Sequence, residues 1–559
     1  MASTIPDPRP GANATPDAAP RPPGDRAARI EAHGIDHIPD HERHGRPRQL
    51  FSVWAAANVN YLSLVIGGAL VLMGLSLWQS LAVIVVGNLF WVLTGLLSVS
   101  GPAAGAPSEV VTRAMYGIRG NRVNNAIVGW MISVCYFALN LAAAATAAFA
   151  LVEKTGITAD TGVKVTVVVL VAALTLAIGV YGHGMIMKLY LPITLALTAA
   201  FAVVAVAVVR HTDFGYTPAE PLTGVDLWAV LVAGVTLVGS GPLSYTTSAD
   251  FSRYLPRTTS AKAIIGWTAL GGFVPSVFVC SLGAFAATAV DMTDPQTGLE
   301  TILPGWFHPV FLLALIVGTI AINALTAYSA GLALQAVGIR IRRSRSVLVD
   351  GVAAVSLTLY GLLVSSFLDT VSNVLQLTVV LLGPAMAVYA TDILIRRNRY
   401  DGPALMDETT GSPFWYTAGV NPAGAVALGA GVLAAALSVN TLYTGPVARA
   451  LGGVDLALPV GMTVAACVYA LMMRTSDNVL AARGRGRLSE RCGPPARGRP
   501  RRGRPGLSER CAVRCIRGHC RTVPRIGSVP ASSPTTPRFP GAVRRPADAS
   551  RPPWRCPRR

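Results

Sequence analysis

The chain has 559 residues, of which 52% are hydrophobic and 13% charged, with a mean hydropathy of +0.49. Soluble domains carry about 25% charged residues, so this composition excludes a chain that is mostly water-facing surface. A net charge of +19 would suit a nucleic-acid binder, but its placement excludes that reading: residues 475–559 hold 21 Arg, no Lys and four acids, and the body before them is close to neutral.

Residues 1–50 are polar and proline-rich and show no cleavable leader pattern, so they read as a disordered N-terminal tail, with insertion through the first membrane helix. Apolar runs of about 20 residues follow, each long enough to cross a hydrocarbon core of about 30 Å. Val163–Ile178 carries only Lys164, at its start, and Leu189–Val209 and Val347–Phe367 carry one charge at most. The predicted spans, in chain order, cover residues 52–73, 78–100, 125–150, 163–182, 187–209 and 226–248. They continue over 263–289, 307–337, 347–367, 371–395, 420–441 and 455–473, which makes twelve and defines a transporter-type domain over 51–474. Cys135, Cys280 and Cys467 fall inside these runs and read as small buried hydrophobes.

Loop charges give the orientation. The loops on the side of the N-terminus hold Arg113, Arg119, Arg122, Lys188, Arg253, Arg257 and Lys262, then Arg340, Arg342, Arg343, Arg345, Arg396, Arg397 and Arg399. The opposite loops hold Lys154, Lys164, Arg210 and Arg449, among acids such as Asp291, Asp294 and Glu300. Fourteen against four is a positive-inside bias, and it predicts both termini in the cytoplasm.

Backbone amides in lipid must be satisfied inside their helix unless a break lines a cavity, so interrupted spans mark candidate sites. The sixth span contains Gly239-Ser240-Gly241-Pro242 and then the polar run Ser244-Tyr245-Thr246-Thr247-Ser248, which predicts unwinding at Gly239–Pro242. The first span has Asn58 and Asn60 near its start and Gly67-Gly68 further on. Spans 1 and 6 lie five apart, the offset of two five-helix inverted repeats with substrate and cation held between the breaks. Gly and Pro are also simply frequent in membrane helices.

Asn140 follows Tyr136 by four residues in the third span, and Asn323 follows Thr319 by four in the eighth, so each pair shares a helix face. Amides can match the donor–acceptor edge of a planar heterocycle while Tyr136 offers a stacking face; they can equally serve hydrogen bonds between helices. No phosphate-binding loop is present, which gives no support to ATP-driven transport. No intramembrane carboxylate chain suggests a proton wire, and Asp250 is expected to pair with Arg253 three residues on. His183, between two glycines, reads as a loop histidine.

Over residues 48–474 the chain resembles the nucleobase:cation symporter-1 family. The resemblance rests on Arg113-Ala114-Met115-Tyr116-Gly117-Ile118-Arg119-Gly120, on Leu382-Gly383-Pro384 with Thr391-Asp392 and Arg396-Arg397, and on Gly419-Val420-Asn421-Pro422. Ala249-Asp250-Phe251-Ser252-Arg253-Tyr254-Leu255-Pro256 and Tyr328-Ser329-Ala330-Gly331-Leu332 are similar to the purine/cytosine permease branch. The resemblance implies an all-α, five-plus-five inverted-repeat fold of the leucine-transporter type, with a rocking bundle of helices 1, 2, 6 and 7. It implies substrate contacts at Asn60, Tyr136 (where the family usually has Trp), Asn140 and Asn323, and at Ser240-Gly241, where many members have Trp. It places a sodium site, in coupled members, at Ala56, Val59, Ala314, Gly318 and Thr319. These positions offer few hydroxyls, so sodium and proton coupling both stay open.

The expected activity is import of a cytosine- or purine-like ring by proton or sodium symport, in the inner membrane, by a monomer with no cofactor, no enzymatic step and no nucleic-acid partner. The alternatives are a same-fold transporter of another small solute (a hydantoin or allantoin, a vitamin precursor, an amino acid) or a sensor that does not transport. The tail over 475–559 is too rich in Arg, Pro and Gly to build a core and reads as disordered. Its spacing Cys511-x3-Cys515-x3-His519-Cys520 lacks the paired CxxC knuckles of a zinc site. Abundant Arg without Lys is what out-of-frame reading of a GC-rich gene produces, which predicts a native end soon after Asn478–Arg483.

Overall fold

Apolar runs of this length can satisfy their backbone in lipid only as helices, and helices are what form. The computed structural model describes residues 30–31, 33–364, 367–441 and 443–491, with backbone alone for 364, 367–377 and 475–491. The spans are α1 (Gln49–Asn58) and α2 (Tyr61–Leu72), α3 (Leu77–Ala104), α4 (Ile118–Glu153), α5 (Thr161–Tyr181), α6 (His183–His211) and α7 (Gly224–Leu243). They continue with α8 (Ala261–Ala287), α9 (His308–Ala336), α10 (Arg343–Val364), α11 (Phe367–Arg396), α12 (Pro422–Ser438) and α13 (Ala457–Arg491). Among the described residues, ten helices are long and apolar enough to cross a membrane, and the bent pair α1–α2 makes eleven. The segment predicted as the eleventh span forms α12, only 17 residues long.

Outward faces are apolar: Leu191 and Leu195 on α6 and Val352 and Tyr360 on α10 are all more than half exposed. Cys467 is exposed as well, so it faces outward and does not fill a core position. Inside, α8 packs along α1, α2 and α3, while α9 packs along α4, α5, α6 and α10. A Cβ on Gly67 would strike the Cys280 carbonyl and one on Gly283 the Leu64 carbonyl, so glycine is what lets α2 and α8 touch backbone to backbone.

Of the two predicted interruptions, the first is present as a bend and the unwinding expected at Gly239–Pro242 is not found. The first span breaks at Val59–Asn60, where α1 and α2 meet at 57°; Gly67 and Gly68 stay helical because they serve packing. In the sixth span, α7 runs through Gly239-Ser240-Gly241-Pro242 and stops at Leu243, followed by a 3-10 turn at Ser248–Phe251. Helix persists past Pro242 because Ser244 N still reaches the Ser240 and Gly241 carbonyls. The polar residues beyond it lean on α3: Thr94 Oγ1 donates to the Pro242 carbonyl at 2.9 Å, Ser248 Oγ to the Thr94 carbonyl at 3.0 Å and Ser252 Oγ to the Ser98 carbonyl at 2.6 Å.

Two expectations are corrected. The stretch 30–50 is not a free tail: Ile38 and Leu50 are buried, Arg43 donates to the Pro102 carbonyl at 2.8 Å, and Glu31 is sealed among side chains of four other segments. Local polarity misled here because the partners are remote in sequence, 59 residues away for Arg43 and Pro102 and 222 for Glu31 and Arg253. Asp250 does not pair with Arg253; it accepts from Ser108 N at 2.8 Å and Ser329 Oγ at 2.7 Å, while Arg253 turns to Glu31. The chain divides into units at Arg487/Leu488, and the tail motifs after residue 491 lie outside the described residues.

Candidate functional site

A cavity with about 800 Å³ of unfilled space, its opening included, lies between the α1–α2 break, α4, the end of α7, α8 and α9. Asn58, Asn60, Tyr136, Asn140, Ser240 and Gly241 line it, so five of the six predicted substrate residues come together from three segments, the α1–α2 break, α4 and α7. Ser63, Ser133, Ser244, Tyr245, Thr247, Ser276, Cys280, Thr326 and Ser329 complete the polar wall, and leucines and isoleucines supply the apolar part.

Asn60 makes the break itself. It is the N-cap of α2, with extended backbone; its Oδ1 accepts from Ser63 N at 3.0 Å and its Nδ2 donates to the Ala57 carbonyl at 2.7 Å. One amide thus closes both free helix ends, the usual capping duty of Asn. Asn58 donates to the Trp54 carbonyl one turn back, at 2.8 Å.

Asn140 differs from both. It is 1% exposed, and its Oδ1 accepts no hydrogen bond among the described residues. A buried acceptor left unpaired costs about 1–3 kcal/mol, so it is a group awaiting a partner. Tyr136, one turn before it, donates toward the Ser240 carbonyl at 3.4 Å and lies 3.2 Å from Thr378 Oγ1, tying α4 to α7 and α11. Asn323 stands apart. It does not line the cavity, and its Nδ2 is spent on the Phe137 carbonyl at 3.0 Å, joining α9 to α4.

Tyr245 forms the cavity floor and was missed, although the polar run that carries it was evident. Its ring sits 4.7 Å from Trp54 and 5.7 Å from Trp91, in an aromatic cluster with Phe251. Nothing local in the sequence brings those four rings together.

Of the five predicted cation positions, Val59 lies at the break and Ala56 one turn before it in α1; Ala314, Gly318 and Thr319 face them from α9. Gly318 approaches the Val59 carbonyl so closely that a Cβ there would collide with it. Thr319 Oγ1 donates to the Leu315 carbonyl at 2.8 Å. All five are buried and none lines the central cavity.

The family profile described as "Permease for cytosine/purines, uracil, thiamine, allantoin" matches residues 37–461. The chain belongs to this family. It is a multi-pass membrane permease of the nucleobase:cation symporter-1 group. A putative purine-cytosine permease of Bacillus subtilis, YxlA, is 28% identical over 460 residues, covering 80% of this chain and 96% of that one. Among solved structures the permease is similar to Mhp1, a nucleobase-cation-symport-1 family transporter. Against the closed conformation with bromovinylhydantoin bound the TM-score is 0.65, at 18% identity over 80% of this chain and 96% of that one. Against inward-facing Mhp1 it is 0.61 at 17% identity, with the same coverage. The fold is therefore the inverted-repeat architecture that the spacing of the two interrupted spans predicted.

Proposed function

We propose that this permease imports a cytosine- or purine-like nitrogenous ring by symport with a cation, proton or sodium, alternating access around the two helix breaks. The observation that carries the reading is Asn140: a buried amide with an unpaired oxygen, in a cavity whose other amides are occupied with helix caps. A planar ring with alternating donors and acceptors can pair with Asn140 while Tyr136 and Tyr245 cover its faces. An amino-acid solute would need charged or strongly dipolar partners, and the residues that line the cavity are hydroxyls, amides, aromatics and aliphatics.

The permease then works as a monomer in the inner membrane with cytoplasmic termini, does no chemistry on its solute and binds no nucleic acid. Helix-1 carbonyls at Ala56 and Val59, with Ala314, Gly318 and Thr319, are the candidate ligands if the cation is sodium. Uptake of radiolabelled cytosine by cells lacking their own permease tests the reading, with adenine, hypoxanthine, uracil and allantoin as competitors. Uptake that Asn140→Ala abolishes supports it. Absence of uptake and of binding for every ring in the panel sinks it in favour of a different solute.

A further inference from the structure

Glu109 lies in the short helix Ser108–Val111 between α3 and α4 and is 2% exposed. Neither of its carboxyl oxygens accepts a hydrogen bond from any donor among the described residues. Beside it is Asp250 on the 3-10 turn after α7, fully buried and bonded to the backbone N of the residue that precedes Glu109. Asp250 already holds two donors, Ser108 N and Ser329 Oγ. Two carboxylates in contact away from water cannot both stay ionised at low cost, whereas one proton between them turns repulsion into a hydrogen bond. We propose that Glu109 and Asp250 form the proton-binding site of this permease, loading one proton per cycle and so coupling a proton gradient to solute movement. This rests on the transport reading above and names its coupling ion.

The surroundings leave the proton in place. Just past that turn Arg253 acts on the pair, but its Nη1 and Nη2 are committed to the Gly34 carbonyl, Glu31 and Tyr328, and Nε alone has no partner among the described residues. From α9 come Ser329 and Tyr328, and from α11 Tyr389, whose hydroxyl bonds Ser100 Oγ at 2.8 Å. From α4 the amides of Asn121 and Asn125 both donate to the Glu109 carbonyl, at 2.6 and 3.0 Å. Tyr116 lines the same small cavity with its hydroxyl unpaired, and Arg113 is turned away onto the Leu405 carbonyl and Glu408. Burial, then the neighbouring Asp250 charge, push the Glu109 carboxyl well above the usual carboxylate range, with Arg253 pulling weakly the other way.

Access exists on two sides. Ser329, the hydroxyl bound to Asp250, lines the central cavity, and Thr247 lines both that cavity and the smaller one bounded by Glu109. A proton arriving from water in the central cavity can settle between the two carboxyls and leave to water through the smaller cavity; no bond of the solute changes. Asp250 rides on the end of α7 beside the break, so protonation favours the packed position of that end and loss of the proton releases it.

The test uses the full chain in proteoliposomes with radiolabelled cytosine. Wild type should accumulate cytosine on an inside-alkaline gradient without sodium. Glu109→Gln should lower that accumulation by about tenfold or more, the scale of a lost coupling free energy, and lower cytosine exchange, which moves no net proton, far less. Glu109→Asp should restore gradient-driven uptake with a displaced pH profile, and it serves as the test if Glu109→Gln does not fold. Full gradient-driven accumulation by Glu109→Gln, or accumulation by wild type on a sodium gradient alone, overturns the proposal. If wild type moves no ring at all, the transport reading has failed, and infrared spectra of the purified protein decide the proton site. A protonated-carboxyl band at neutral pH that disappears in Glu109→Gln upholds it, and no such band in wild type ends it.

Discussion

Glu31 and Arg253 form an ion pair 2.8 Å long in which neither side chain is more than 1% exposed. Around that one carboxylate gather Tyr254 Oη at 2.7 Å, Tyr328 Oη at 3.1 Å, His183 N at 3.0 Å and Arg343 at 3.5 Å. A residue before the first span therefore ties the turn after α7 to α9, to α10 and to the start of α6. The same elements also meet without it, through Arg253 donating to Tyr328 Oη at 3.0 Å and His183 stacked on Tyr254, so Glu31 is the centre of a wider cluster.

Removing one partner of a buried ion pair strands the other, at a cost of about 3–5 kcal/mol. Glu31→Gln should therefore lower the thermal midpoint in detergent and expose this face to thiol reagents at cysteines placed beside Arg253. Burial alone would raise the Glu31 carboxyl, but Arg343, then Arg253 and His183, outweigh it and bring it down from 4.5 to about 2. A lowered folded value means the stabilisation is complete above about pH 4.5 and fades as pH falls toward 2. Melting curves across that window should show the loss in wild type and a shallower one in Glu31→Gln; parallel curves would contradict the assignment.

Asn140 and Asn60 should separate function from stability. Asn140→Ala removes an acceptor that holds nothing, so transport should disappear without the loss of stability, about 0.5–1.5 kcal/mol, that follows removal of a made hydrogen bond. Asn60→Ala removes a helix cap and should cost about 0.5–2 kcal/mol. The reverse pattern in paired melting and uptake measurements would mean that Asn140 is structural.

Gly318 is a matter of space. A methyl group there meets the Val59 carbonyl, which is backbone and cannot swing away. Gly318→Ala should push α9 off the break, cost about 1–3 kcal/mol as overpacking does, and reduce uptake. Wild-type stability in this variant would show that α9 does not approach the break so closely.

Thr94 tests the hydroxyl contacts between α3 and the end of α7. Thr94→Val keeps the shape but removes the 2.9 Å donor of the Pro242 carbonyl, which keeps Tyr245 N at 3.3 Å, so the cost should be that of one ordinary hydrogen bond, about 0.5–1.5 kcal/mol. Denaturation of the purified variant measures it; a change within error would mean that water or another hydroxyl replaces Thr94.

The sequence by itself determined the helices, the family and the polar start of the first span, where the chain bends. Hydropathy over about 20 residues is a local property, and lipid leaves the backbone no alternative to helix. Asn60, Tyr136 and Asn140 were legible for a related reason: a polar group inside an apolar run has no surface to explain it. The tertiary structure decided what those groups do. Asn60 is occupied as a cap by a residue three positions away, the Nδ2 of Asn323 is spent across helices on Phe137, and Asn140, whose Oδ1 has no partner among the described residues, faces the cavity. Asp250 could have met Arg253 at helical spacing, yet the turn after α7 carries Arg253 to Glu31, 222 residues away, and sets Asp250 against Glu109. Charge pairing inside a membrane protein is won by whichever partner shares the buried space, and sequence distance does not enter that competition.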